Sequence, residues 1–217
     1  MPAFDAASVA ESLQRVRGRI AAAGGDDSVA VLAVTKGFGA DAIEAALAAG
    51  CTAIGENYAQ ELLTKRDATR LAEVHFIGQL QTNKVRQIAG LVDVYETVDR
   101  SRLADEIARR DPGARVLVQV DTTGEPGKGG CPLAALDALV TDVHAAGLDL
   151  RGLMTVGPTE GGPEAARAGF RAVRAAVDRL GLGVCSMGMT DDMEVAVQEG
   201  STEIRVGTAL FGPRPGA

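Results

Sequence analysis

The sequence predicts an α/β chain of the (β/α)8 TIM barrel class, and three observations carry that prediction. Apolar, β-branched runs alternate with helix-period segments along all 217 residues. Several runs are apolar almost without a break, as in strands covered on both faces. Eight such runs and seven intervening helical segments, after one leading helix, match the count of a closed parallel barrel. The length is below the ~250 residues typical of that barrel, so the loops must be short. An open doubly wound sheet is the alternative that periodicity leaves standing. No linker, repeat or low-complexity stretch marks a second domain, and residues 1–217 read as one.

In chain order, an amphipathic segment over 6–23 forms the extra N-terminal helix and stops at Gly24-Gly25. The first strand is VAVLAVT (29–35), followed by the helix DAIEAALAAG (41–50). TAIGE (52–56) and AQELLTKRDATRLA (59–72) form the second strand and helix, then VHFIG (74–78) and TNKVRQIAG (82–90) the third. VDVYETV (92–98) precedes SRLADEIARR (101–110), and ARVLVQVD (114–121) precedes PLAALDALVTDVHAAG (132–147). LRGLMTVG (150–157) leads to PEAARAGFRAVRAAVDRLG (163–181), and GVCSMGM (183–189) to DDMEVAVQEG (191–200). EIRVGTALFG (203–212) is the eighth strand. Gly50, Gly90, Gly147, Gly181 and Gly200 end helices, where a left-handed residue satisfies the last carbonyls. Pro132 and Pro163 open helices, where a missing N–H costs little.

Composition removes several classes of function. A net charge of −7 argues against nucleic acid and anionic membranes as partners. An aromatic fraction of 3% with no Trp leaves no base-stacking platform. The N-terminus lacks a basic region followed by an apolar run, so no secretion signal is expected. No stretch approaches the ~18 apolar residues of a membrane span. Cys51, Cys131 and Cys185 are odd in number and make no CxxC pair, which argues against disulfides and a zinc site. A cytoplasmic, monomeric protein with reduced thiols is expected.

The chemistry should gather at the carboxyl ends of the strands. Lys36, one of only four lysines, closes the first strand there. Partial desolvation would lower its pKa and free its lone pair for a carbonyl. The same rim collects Glu56-Asn57-Tyr58, Gly78-Gln79, Asp121-Thr122-Thr123-Gly124 and Met154-Thr155-Val156-Gly157. Ser186-Met187-Gly188-Met189 and Gly207-Thr208 follow from the last two strands, whose loops commonly cradle phosphate in such barrels. Arg205 faces inward if Val206 faces outward. A phosphorylated aldehyde would use both ends of this rim, and pyridoxal 5′-phosphate (PLP) is one such molecule. A barrel enzyme acting on a sugar phosphate is another reading of the same rim.

At this point specific motifs add to the periodicity. AVTKGFGADAIEAALAAG (33–50), IGENYAQELLTK (54–65), HFIGQLQTNK (75–84), VLVQVDTTGEPGKGG (116–130), RGLMTV (151–156) and SMGMTDDMEVAVQEGSTEIRVGTALFG (186–212) resemble the pyridoxal-phosphate homeostasis proteins. These are small relatives of the alanine racemase N-terminal barrel, and the likeness covers nearly the whole chain. It implies a fold-type III barrel with PLP held as a Schiff base on Lys36. It also implies that Ser186 and the backbone of Gly207 and Thr208 hold the phosphate, that Arg205 faces the pyridine nitrogen, and that Asn57 lies beside the cofactor. The chain departs from the family at Gln79, at Val74 before His75, and in its short PRPGA tail. The implied role is to hold PLP and buffer or deliver it, with apo PLP-dependent enzymes and free amino acids as partners and no established reaction.

A PLP-dependent racemase or lyase is the competing expectation. Against it, a permanently cationic Arg205 would keep the pyridine nitrogen unprotonated and weaken the electron sink. Racemisation also needs a second acid/base group, which two-domain racemases take from a partner's further domain; this chain is expected to end before such a domain. Other residues have plainer readings. Asp191 with Glu194 reads as a capping box for the following helix. His75 reads as a satisfied core histidine with no second ligand near it. Lys84 and Arg86 could face the rim, where the LQ-x-NK motif gives Lys84 some interest, or water, as a basic cluster of this size usually does; Met154, Met187 and Met189 read as packing groups, Tyr58 as packing, and Cys185 as a small buried hydrophobe.

Overall fold

The computed structural model describes residues 4–214. Eight parallel strands form the barrel: β1 (Ala30–Val34), β2 (Ala53–Glu56), β3 (Glu73–Phe76), β4 (Val94–Val98), β5 (Arg115–Asp121), β6 (Asp149–Met154), β7 (Val184–Ser186) and β8 (Glu203–Val206). Neighbours pair in chain order, and β1 pairs with β8, with Ala30 opposite Glu203 and Leu32 opposite Arg205, so the sheet closes. The barrel reading holds and the open sheet does not. Cys131–Pro132 adds two residues of parallel pairing beside Val120 and Asp121.

The helices are α1 (Ala6–Ala22), α2 (Ala40–Ala48), α3 (Ala59–Lys65), α4 (Val85–Ile88), α5 (Ser101–Arg110), α6 (Leu136–Ala145), α7 (Arg167–Leu180), α8 (Met193–Gln198) and α9 (Thr208–Phe211). Gly50, Gly90, Gly147, Gly181 and Gly200 all have positive φ, between 65° and 97°. The eighth strand is shorter than EIRVGTALFG suggests: it ends at Val206, and 208–211 turn into α9.

That short α9 explains the leading helix. A four-residue helix cannot cover the outside of β1 and β8. α1 does so instead, laying Val9, Val16 and Ile20 against Val31, Ala33, Ile204 and Val206. The Asp5 carboxylate caps α1 by accepting from the backbone N–H of Ala7 and Ser8 at 3.3 and 3.2 Å. Phe4, Phe38 and Phe211 meet edge to face or tilted, with centroids 5.3–5.5 Å apart, joining the start of α1 to the segment after Lys36 and to α9.

Val206 packs outward, and Arg205 points into the barrel. The interior is correspondingly polar: His75, Glu96, Gln119, Ser186, Glu203 and Arg205 are all buried. Among the described residues no helix is long and apolar enough to cross a membrane. Of the PRPGA tail, residues 215–217 lie outside the described part.

Candidate functional site

A pocket of about 410 Å³ opens at the carboxyl ends of the strands, within the size range of small-molecule sites. Lys36, Asn57, Arg205, Gly207 and Thr208 line it, together with Phe38, Ile77, Met154, Thr190, Asp191 and Arg214. Five of the six residues singled out for the site therefore meet in one cavity. The sixth, Ser186, does not line it.

Lys36 follows β1 directly and is half-buried. Burial first, then the nearby charges of Arg214 and Arg205, hold its pKa below the usual lysine value, with Glu61 pulling the other way. The backbone beneath it is fixed by a buried ion pair that sequence reasoning missed. Lys65 Nζ donates to the Thr35 carbonyl at 2.9 Å and to Glu56 Oε1 at 2.8 Å, and Thr35 Oγ1 donates to the same Glu56 oxygen at 2.6 Å. Glu61, which also accepts from Lys65 at 3.4 Å, accepts from the Gly37 N–H at 2.8 Å. Lys65 is thus consumed by structure and Lys36 is left facing the pocket. Lys128 is tied to Glu125 and the Gly157 carbonyl, and Lys84 is half-buried away from the pocket.

Arg205 is nearly fully buried and held by two oxygens: it donates to Ser186 Oγ at 2.7 Å and to the Thr155 carbonyl at 2.6 Å. Ser186 Oγ donates to Glu96 Oε2 at 2.7 Å, and Glu96 Oε1 lies 2.6 Å from His75 Nδ1. A continuous polar chain therefore runs from the pocket floor into the barrel. Within it, burial opposes charge on Glu96, but His75 and Arg205 hold its carboxyl below the usual range. Burial would lower His75, yet Glu73, Glu96 and Glu203 around it raise it to about 10. Burial, reinforced by Glu96, pushes Glu203 up to about 8. The expectation that His75 has no second ligand nearby is corrected: the barrel brings it two carboxylates from β4 and β8.

Ser186 is also corrected in placement. As the last residue of β7 with inward parity, it points down at Glu96 rather than up at the pocket. The hydroxyl that reaches the pocket is Thr190, four residues on, after the chain turns at Gly188 (φ 96°). A Cβ on Gly188 would lie 2.5 Å from Ala196 Cβ, so only glycine fits that turn. Thr190 Oγ1 accepts from the Ala209 N–H at 3.3 Å, bridging the two loops. Arg19 of α1 braces the same loop, donating to the Thr190 carbonyl at 2.8 Å while pairing with Glu194. That pairing removes the expected capping box: Glu194 turns to Arg19, and Asp192, not Asp191, precedes α8 and accepts from the Met189 N–H at 2.6 Å.

Asn57 Oδ1 is buried without a hydrogen-bond partner. Its backbone is pinned by Gly78, where a Cβ would stand 2.0 Å from the Asn57 carbonyl oxygen. Met154 and Met187 are buried as expected, but Met189 is 39% exposed on the pocket rim and Tyr58 is exposed, not packed. Cys185 is fully buried. Arg214 lines the pocket as well, and nothing but its basic character flagged it in the sequence.

Comparison with known proteins gives the arrangement a context. Residues 4–215 match the family described as alanine racemase, N-terminal domain. The chain is 40% identical to the pyridoxal phosphate homeostasis protein of Pseudomonas aeruginosa, covering 96% of this chain and 95% of that protein. It is 39% identical to the protein of the same name from Escherichia coli K12, covering 95% and 97%. The solved structure of PipY from Synechococcus elongatus with PLP bound superposes with a TM-score of 0.83 at 31% identity, over 94% of this chain and all of that one. Alanine racemase from Bacillus anthracis shares the fold at a TM-score of 0.74 and 17% identity, with this chain spanning 57% of its length.

Proposed function

Because the chain belongs to the alanine racemase N-terminal-domain family, and within it to the pyridoxal phosphate homeostasis proteins, we propose that it binds PLP and serves to buffer or deliver it. The observation that carries this reading is Lys36: a half-buried amine of lowered pKa, with no ion pair among the described residues, in the same pocket as a buried, oriented arginine. The residues fit the group on several grounds. The Asn57 Oδ1 has no hydrogen-bond partner among the described residues, Gly207 leaves the rim without a side chain, and Thr190 lines the same pocket.

PLP supplies an electrophilic aldehyde that condenses with amines. Lys36 would be the amine that holds it, its lowered pKa keeping a larger share unprotonated. Arg205 would face the ring nitrogen; two of its N–H groups are already spent on Ser186 and Thr155, so its plane is fixed. Thr190, Gly207 and Thr208 would hold the phosphate, and Asn57 would lie beside the cofactor. Ser186 acts through Arg205. An arginine that cannot give up its proton leaves the ring nitrogen unprotonated, which suits a holder better than a carbanion chemist. We read the whole chain as one domain, cytoplasmic and monomeric, passing PLP to apo-enzymes.

Absorbance during PLP titration tests this. Wild type should develop a red-shifted band that Lys36→Ala lacks; identical, unshifted spectra would overturn the reading. Washout of α-deuterium from an amino acid faster than with free PLP would favour a racemase or lyase instead.

A further inference from the structure

The barrel has a second opening that the cofactor site does not use. At its N-terminal mouth, beneath α1, a cavity of about 140 Å³ reaches inward to Glu73, His75 and Glu203. His75 is 5% and Glu203 7% exposed. Glu96 accepts the Nδ1 proton of His75 at 2.6 Å, which fixes the imidazole plane and directs Nε2 away from Glu96. Nε2 and Glu203 Oε1 are both buried with no hydrogen-bond partner among the described residues. Buried polar atoms are nearly always paired, and here a nitrogen and an oxygen of ligating character are unpaired on residues lining one cavity. Glu73 Oε2 stands 3.7 Å from Nε2 at the same mouth.

The cluster also has the size of a cation site. His75, Glu96 and Glu203 each offer a ligating atom, all within 4.8 Å of one another, and Glu203 makes its nearest approach to the ring through Oε2, 3.8 Å from Nδ1. Donors ~2.0–2.2 Å from an ion lie up to about 4 Å apart, so Glu73 already stands at that spacing from Nε2 and Glu203 must turn from the Nδ1 edge of the ring to join it. We propose that His75 Nε2 and Glu203 Oε1 bind a divalent first-row transition ion, with Glu73 closing from the mouth and Glu96 orienting the imidazole through Nδ1. Imidazole with carboxylate favours zinc, cobalt or manganese over calcium or magnesium, and a ligating histidine ordinarily gives its other N–H to a carboxylate.

The exchange balances: the incoming ion takes the places of the protons on Nε2 and on the Glu203 carboxyl, and these leave through the cavity. Arg17 also lines that mouth, but its guanidinium is turned onto the Val29 carbonyl. Glu96 holds Ser186 as well, so an ion here would share a buried carboxylate with the support of Arg205.

The test uses untagged, PLP-free, chelator-stripped protein. Calorimetry with Zn²⁺ and the visible absorption of Co²⁺ should each report one bound ion. Glu203→Gln, a near-isostere, should weaken binding by at least roughly tenfold, whereas Lys36→Ala should leave it unchanged. The chain has only two histidines, and His144 is on the surface. In His144→Asn, paramagnetic resonance of bound Cu²⁺ should still show one imidazole nitrogen, which tests His75 without touching the core. No bound ion in wild type, unchanged affinity in Glu203→Gln, or no imidazole coupling in His144→Asn would overturn the site and assign the unpaired atoms to water.

Discussion

Lys36 and Lys65 flank the same strand end and meet opposite fates. Lys65 spends its ammonium on Glu56, Glu61 and the Thr35 carbonyl, while Lys36 is left with a lowered pKa in the pocket. The sequence made Lys36 conspicuous because it closes an apolar run, but Lys65 looked like an ordinary helix-end lysine. Its partner Glu56 ends the preceding strand β2, a relation that neither strand nor helix periodicity reveals. Ser186 and Thr190 teach the same lesson. Both hydroxyls lie in SMGMT, and only the side-chain parity at the end of β7 decides which one meets the pocket. Removing a hydrogen bond to a charged group costs about 1.5–3 kcal/mol. Thr190→Ala should therefore weaken PLP binding roughly ten- to hundredfold by removing a direct phosphate contact. Ser186→Ala should act by loosening Arg205 and so should alter the cofactor's spectrum as well as its affinity. A Thr190→Ala protein with wild-type affinity in fluorescence titration would remove Thr190 from the site.

Among the elements, strand and helix positions were legible because apolar runs and glycine stops repeat along the chain. Their ends were less so. EIRVGTALFG reads as one strand because its alternating start runs into the apolar ALF, yet Gly207 breaks it and α9 begins at Thr208. α1 was readable as amphipathic, but not as the cover that β1 and β8 need, nor as the source of the Arg19 brace on the 190 loop. The loops after β2 and β3 depend on one close approach, Gly78 against the Asn57 carbonyl. Gly78→Ala forces that backbone apart, and overpacking of this kind costs about 1–3 kcal/mol. Urea unfolding should show the loss, and PLP affinity should fall with it because Asn57 is displaced. A variant as stable as wild type, binding PLP as tightly, would mean that Asn57 is not held by this contact.

For the whole molecule, barrel closure follows from the count and order of elements, whereas its polar interior had to be seen. Sequence alternation in VHF, YET and EIR hints at inward His75, Glu96 and Arg205, but parity could not be assigned from one strand alone. The interior makes stability depend on pH in a definite direction. His75 rises to about 10 from 6.5, so the folded state binds its proton more tightly. Its contribution is complete below about pH 6.5 and is lost as pH climbs through about 10. Glu203, raised to about 8 from 4.5, also favours the protonated form and loses its contribution between those values. The urea midpoint should fall between pH 7 and 10 in wild type and fall less in His75→Gln; equal slopes would show that His75 carries no such charge. The proposed function rests on Lys36 as the point of attachment, and borohydride reduction of the PLP-loaded protein followed by peptide mass mapping tests that most directly. The cofactor's mass should appear on the peptide containing Lys36 and nowhere else; a label on Lys65, Lys84 or Lys128, or none at all, would contradict it.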